Sequence, residues 1–248
     1  MTSPPNTDAE LITQTLELET ADGPMPCYEA APDDEPRGSV VVIQEAFGVN
    51  DHIQDVCRRF AREGYRAVAP HLYHRTGTTE FDYGDFSTVR PAFDALTDAD
   101  QVTDVDVTLQ YLRESTSCSR IGIVGFCMGG RTSFLLGAIR SLGAAVTYYG
   151  GGIVTEKATG RPSLMHLVPA MKSPWLGLFG QEDPSIPKEE LDELRAATAS
   201  APVETEMVVY PGAGHAFNSD PRPSYHEPSA RDAWARTLDW FGRHIATS

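Results

Sequence analysis

The sequence predicts an α/β fold with a mainly parallel central sheet and helices on both faces. Apolar runs of strand length alternate with stretches of helical period, the order that builds parallel strands through helical crossovers. The length, 248 residues, suits one α/β domain with a single core. Composition agrees, because 41% hydrophobic and 22% charged residues are ordinary for a globular chain.

The first ten residues are polar and acidic and read as a loose N-terminus, which leaves 11–248 as the domain. Strand patterns follow at Leu11–Glu19, Pro24–Ala30 and Ser39–Gln44. Asn50–Gly64 reads as a helix because Ile53, Val56, Cys57 and Phe60 share one face. Tyr65–Ala69 is a short buried strand. Pro70–Thr97, interrupted by Gly77, Gly84 and Pro91, reads as a long loop or partial lid. Asp98–Ser115 is an amphipathic helix through Val102, Val105, Leu109 and Leu112. Arg120–Val124 is a strand, Arg131–Arg140 a helix, and Ala144–Tyr149 a strand before the glycines 150–152. A loose stretch runs to Lys172. Trp175–Phe179 and Val203–Tyr210 are strands, Lys188–Thr198 is a helix, and Arg231–Ile245 closes the chain as a helix.

The net charge of −15 argues against nucleic acid and anionic membranes as partners, since both require a basic face. Its ordinary meaning is solubility. The acidic start has no apolar core of a signal peptide, and no run approaches the ~20 apolar residues of a membrane span. Cys27, Cys57, Cys118 and Cys127 are scattered without C-x-x-C spacing, so free thiols in the cytoplasm are expected.

Chemistry concentrates at Gly125-Phe126-Cys127-Met128-Gly129-Gly130, between a strand pattern and a helical run. A lone reactive side chain between glycines at a strand-to-helix turn is the layout of a nucleophile elbow. The turn brings the residues two before and two after the nucleophile together, and glycine has no Cβ to clash. Met128 N–H then opens the helix, where backbone donors favour a developing negative charge. Cysteine in place of serine points to a thiolate hydrolase. Three other readings compete: an inert core cysteine, a redox-sensing thiol, and a phosphate loop with Arg131 at the lysine position.

A thiol nucleophile needs a base, and the base an orienting acid, in the chain order nucleophile, acid, histidine. His215, in the glycine-rich loop 212–217 after the strand ending at Tyr210, is the candidate base. His166 has no acid-bearing strand end before it, His226 reads as a surface residue, and His244 lies inside the last helix. After Trp175–Phe179 come Glu182 and Asp183. Spacing does not choose between them, although the proline after Asp183 favours it. Glu45 ends the apolar run Val40–Gln44, in the loop that supplies a second oxyanion donor in such folds, here Ala46 N–H beside Met128 N–H. From position alone, Glu45 reads as a solvated strand end.

Five collinear motifs resemble the dienelactone hydrolase (carboxymethylenebutenolidase) family: Gln44–Asn50, Gly64–Tyr73, Gly125–Gly130, Gly180–Asp183 and Gly212–Phe217. The likeness spans nearly the whole chain, from about Leu16 to the last helix. It implies an α/β-hydrolase fold, no metal or organic cofactor, and a triad of Cys127, His215 and Asp183. It also implies that Glu45 contacts the thiol in the resting enzyme and helps remove its proton when substrate binds.

The chain departs from the family where a substrate carboxylate is gripped. One family arginine falls on Ser219 and the other, aligned without gaps, on Phe86. His71 stands where the family usually has aspartate. Arg75, Arg90 and Arg222 are the candidate replacements for binding a substrate carboxylate, with surface charge as their equal alternative. The expectation is a cysteine-dependent hydrolase of a small carboxylic ester or lactone. A thioesterase or general esterase with the same triad is the alternative within enzymes, and a non-catalytic ligand-binding protein the alternative outside them.

Overall fold

The computed structural model describes residues 11–78, 80–83, 85–115, 120–156 and 160–246. The expected loose N-terminus, Gly84 and the Cys118 thiol lie outside them. The backbone forms two compact units, Met1–Ile121 with Ile245–Ser248, and Gly122–His244.

In the first unit β1 (Leu11–Thr20) and β2 (Gly23–Pro32) form an antiparallel hairpin, and β2 pairs antiparallel with β4 (Tyr65–Pro70). β3 (Gly38–Ile43) runs parallel to β4, and its six residues are all buried. That agrees with its unbroken Val-Val-Val-Ile run, since a parallel strand is covered on both faces. Helix α1 (Asp51–Arg62) packs against β2 and β4. It begins where the Asn50 side chain accepts a bond from Ile53 N–H at 3.3 Å. Its buried face holds Ile53, Val56, Cys57 and Phe60, as the i, i+3, i+4 spacing requires. Each such side chain contributes about 1.5–3 kcal/mol by leaving water.

The segment expected to be a loop, Pro70–Thr97, contains a helix, α2 (Phe86–Ala95), preceded by a 3-10 turn at His74–Thr76. Pro91 suggests a break, yet it sits inside α2. The Asp85 side chain caps the helix by accepting from Ser87 N–H at 2.8 Å, and Val89 and Ala92 are buried. Helix α3 (Asp98–Ser115) has the expected bounds, but its buried face includes Gln101, Asp104 and Thr108 as well as Val105, Leu109 and Leu112.

The second unit is built on four parallel strands, β5 (Ile121–Phe126), β6 (Ala144–Tyr148), β7 (Trp175–Gly180) and β8 (Thr205–Tyr210), paired in that order. Helix α4 (Met128–Ile139) follows β5 and is buried along nearly its whole length against β6. Helices α5 (Lys188–Thr198) and α6 (Glu227–His244) complete the unit. α6 starts four residues before the apolar pattern, with a first turn in which Glu227 and Pro228 are exposed and Ser229 and Ala230 buried. Parallel strands all end at the same edge of a sheet, so the loops after β5, β6, β7 and β8 gather there. This is the usual place for a site in an α/β fold.

Candidate active site

Cys127 sits between β5 and α4 with φ 55° and ψ −113°, in a region that L-residues rarely occupy. A Cβ at Gly125 would overlap the carbonyl of Gly129, so glycine two residues before Cys127 is a steric requirement. Cys127 N–H donates to Tyr148 O at 3.1 Å, tying the turn to the end of β6. Its side chain is partly exposed, whereas Cys27 and Cys57 are fully buried. Burial pushes the Cys27 thiol up to about 12 and the Cys57 thiol higher still, which leaves both inert.

The non-glycine residues with positive φ among those described are Cys127, Tyr149 and Ala216. All three lie in loops at the same strand edge, after β5, β6 and β8. Strain of this kind persists where surrounding structure imposes it, and it gathers at functional sites. The Tyr149 ring packs against the His215 ring, with centroids 5.3 Å apart, and against Phe217. Sequence reasoning does not single out Tyr149. Its available signal is its place between a strand and the glycines 150–152.

Asp183 and His215 meet because the loops after β7 and β8 interlock. Gln181 N–H donates to Tyr210 O and Glu182 N–H to Ala213 O, both at 2.9 Å. A Cβ at Gly180 would overlap the Ala213 carbonyl, so glycine there allows the close approach. The Asp183 side chain is fully buried, and its Oδ2 lies 2.7 Å from His215 Nδ1. Its Oδ1 accepts from Ser185 N–H at 2.8 Å and Ser185 Oγ at 2.6 Å. Glu182 points into solvent, so burial makes the choice that spacing leaves open.

Burial works against a charge on Asp183, but the bonds from His215 and Ser185 hold its carboxyl below the ordinary carboxylate value. Burial likewise pushes His215 down. Electrostatic attraction from the Cys127 sulfur and hydrogen bonds to Asp183 and Cys127 outweigh it and hold the ring well above the ordinary histidine value. With Nδ1 on Asp183, Nε2 is the nitrogen left for the Cys127 sulfur. The second unit therefore brings Cys127, His215 and Asp183 together.

The other histidines fall elsewhere. His166 is exposed, His226 bonds Ser229 Oγ at the start of α6, and His244 ends that helix. Arg131, at the phosphate-loop lysine position, is buried and donates to Gly152 O and Pro162 O at 2.9 and 2.8 Å. It braces the loop after β6, which removes the nucleotide reading.

In the first unit, Glu45 is only 1% exposed, so it is not a solvated strand end. Tyr83 Oη donates to its Oε2 at 3.4 Å. The Glu45–Gly48 loop is pinned by Tyr73 Oη on Ala46 O and by Phe81 N–H on Phe47 O. Phe47 packs against Tyr83 and Phe86. Nearby, a cavity of about 580 Å³ is lined by Glu80, Phe81, Asp82, Asp85 and Thr88. The candidate arginines are occupied or external. Arg75 holds Asp104 and Asp22, Arg90 pairs with Asp94 on the exposed face of α2, and Arg222 lies in the loop before α6. Arg75 is thus paired with the buried Asp104 and the exposed Asp22. Among the described residues, no group of three or more His, Cys, Asp or Glu could hold a metal ion, and no helix is long and apolar enough to cross a membrane.

Known proteins resemble this chain in sequence and fold. The profile of the dienelactone hydrolase family matches residues 25–245. A Yersinia pestis protein named "Putative carboxymethylenebutenolidase" is 42% identical over 229 residues, covering 89% of this chain and 84% of that protein. An Escherichia coli K12 protein of the same name is 42% identical over 226 residues, covering 89% and 83%. The crystal structure of a Klebsiella pneumoniae "Putative Dienelactone Hydrolase" superposes with a TM-score of 0.87 at 38% identity, covering 94% of this chain and 99% of that one. Thermogutta terrifontis esterase 2, at 17% identity and a TM-score of 0.72 over 95% and 96% of the chains, shares the fold alone. The chain therefore belongs to the dienelactone hydrolase family and is a hydrolase with the α/β-hydrolase fold.

Proposed function

We propose that this hydrolase cleaves a small carboxylic ester or lactone through an acyl-thioester on Cys127. The observation that carries this is the Asp183–His215–Cys127 arrangement, with its 2.7 Å carboxylate–imidazole bond and a partly exposed thiol. In this reading His215 Nε2 takes the thiol proton, and the thiolate attacks the substrate carbonyl carbon. The tetrahedral oxyanion collapses as the imidazolium returns that proton to the leaving alkoxide. Nε2 then takes a proton from water, which attacks the thioester and releases the acid and the free thiol. Asp183 keeps the ring in place and stabilises its charge. By the family pattern, Met128 N–H and Ala46 N–H hold the oxyanion, and Glu45 assists thiolate formation when substrate binds.

The preferred substrate in this reading is neutral rather than anionic. The chain carries a net charge of −15, whose field disfavours the approach of an anion. Arg75 and Arg90 are already engaged by carboxylates. Negative charge repels a substrate carboxylate, so the family's acidic lactone is a poorer fit than a neutral ester.

Alkylation tests the nucleophile. One iodoacetamide adduct at Cys127 is expected to track the loss of aryl-ester hydrolysis, with Cys27 and Cys57 unmodified. Glu45→Gln is expected to slow acylation and to alter the pH dependence of that alkylation. Full activity in Cys127→Ala would exclude the thiolate mechanism.

A further inference from the structure

We infer that Ser185 is a positioning residue, holding the Asp183 carboxylate in the orientation that turns Oδ2 toward His215. The inference rests on the hydrolytic reading above and adds a group that neither the elbow nor the triad order specifies.

The Asp183 side chain is fully buried, so each of its oxygens needs donors. Oδ2 has the His215 ring. Oδ1 has the Ser185 backbone N–H at 2.8 Å and the Ser185 hydroxyl at 2.6 Å, both supplied two residues further along, across Pro184. The terminal torsion of aspartate is broad, and a carboxylate anchored at one oxygen can pivot. Two donors on Oδ1 resist that rotation.

Ser185 also bears on the ring. Its single hydroxyl proton is used on Oδ1, so Oγ presents lone pairs to His215 Nδ1 at 3.3 Å. Nδ1 therefore faces two acceptors, Asp183 Oδ2 at 2.7 Å and Ser185 Oγ, and both require the proton on Nδ1. That tautomer leaves Nε2 as the base. Ser185 itself is exposed, so removing its hydroxyl opens no core cavity.

Ser185→Ala, Ser185→Thr, Cys127→Ala and wild type would be compared with a neutral aryl ester. The His215 Nδ1–H proton resonance and the melting temperature would be followed in parallel. Ser185→Ala is expected to lower kcat about tenfold with KM unchanged, the scale of one hydrogen bond to a charged group. Its Nδ1–H resonance should broaden through faster exchange, and Ser185→Thr should restore both signals. Wild-type kcat and resonance in Ser185→Ala would overturn the inference. So would equal damage in the Ala and Thr variants, or a lowered melting temperature with unchanged kcat. Retained turnover in Cys127→Ala would instead defeat the acyl-thioester reading, while the resonance would still report whether Ser185 holds the Asp183–His215 pair.

Discussion

Two fully buried aspartates, each bonded to a histidine, serve different ends in this molecule. Asp104 on α3 lies 3.3 Å from His74 Nε2, and Asp183 after β7 lies 2.7 Å from His215 Nδ1. Asp104 is also gripped by Arg75 through two bonds of 2.7 and 2.8 Å, and these bonds raise the guanidinium further above its ordinary value. An arginine does not release its proton, so the charge on Asp104 is balanced whatever His74 does. Among the described residues, no arginine bonds Asp183. Its other donors are the neutral N–H and O–H of Ser185, so the balancing charge must come from His215. The first arrangement fixes the turn at His74–Thr76 to α3. In the proposed mechanism, the second makes imidazolium favourable when the Cys127 thiol gives up its proton. A buried Asp–His pair marks chemistry only when no permanent cation has already neutralised the carboxylate.

The largest expected effect separates the two at once. Asp183→Asn should reduce kcat by roughly 10²–10⁴-fold, because the amide presents the wrong partner to Nδ1. Steady-state turnover of an aryl ester measures this, and melting should move little. Asp104→Asn should do the reverse, costing about 2–3 kcal/mol in urea unfolding with turnover per folded molecule preserved. Removing one partner of a buried ion pair leaves the other charge uncompensated, and the partial exposure of Arg75 moderates that penalty.

A smaller effect lies in pH dependence. The His215 contribution to stability is complete below the ordinary histidine value of about 6.5 and is lost as pH rises through its higher folded value. The Asp183 contribution is complete above the ordinary carboxylate value of about 4 and is lost as pH falls through its lower folded value. Asp183→Asn should therefore move the His215 ring titration, followed by NMR, to lower pH. Asp104→Asn should leave it in place. The smallest effect is expected from Arg75→Ala. Relative rates on acidic and neutral esters should stay unchanged, since this guanidinium serves Asp104. A selective rise in KM for the acidic ester would return Arg75 to the substrate.

Much of the fold is legible in the chain. Among the described residues, eight strands stand where strand patterns are read, and α3 and α5 match their predicted bounds because their helical period is long and continuous. Helix α2 is obscured by Pro91, whose effect is offset by the Asp85 cap and the burial of Val89 and Ala92. At the site, the elbow and the order Cys127, Asp183, His215 are readable because a strained turn demands glycine and a chain order demands few candidates. Ser185 and Tyr149 are not, since serine and tyrosine in loops carry no periodicity.

By itself, the sequence determined the alternation of strands and helices, the glycines around Cys127 and the histidine available to it. Those properties are local, set by backbone sterics and side-chain period. Only the tertiary structure set Asp183 rather than Glu182 against His215, buried Glu45, and paired Arg75 with Asp104 and Arg131 with the loop after β6. A carboxylate or guanidinium looks the same in sequence whether it meets water or a partner, and that meeting is arranged by residues far away along the chain.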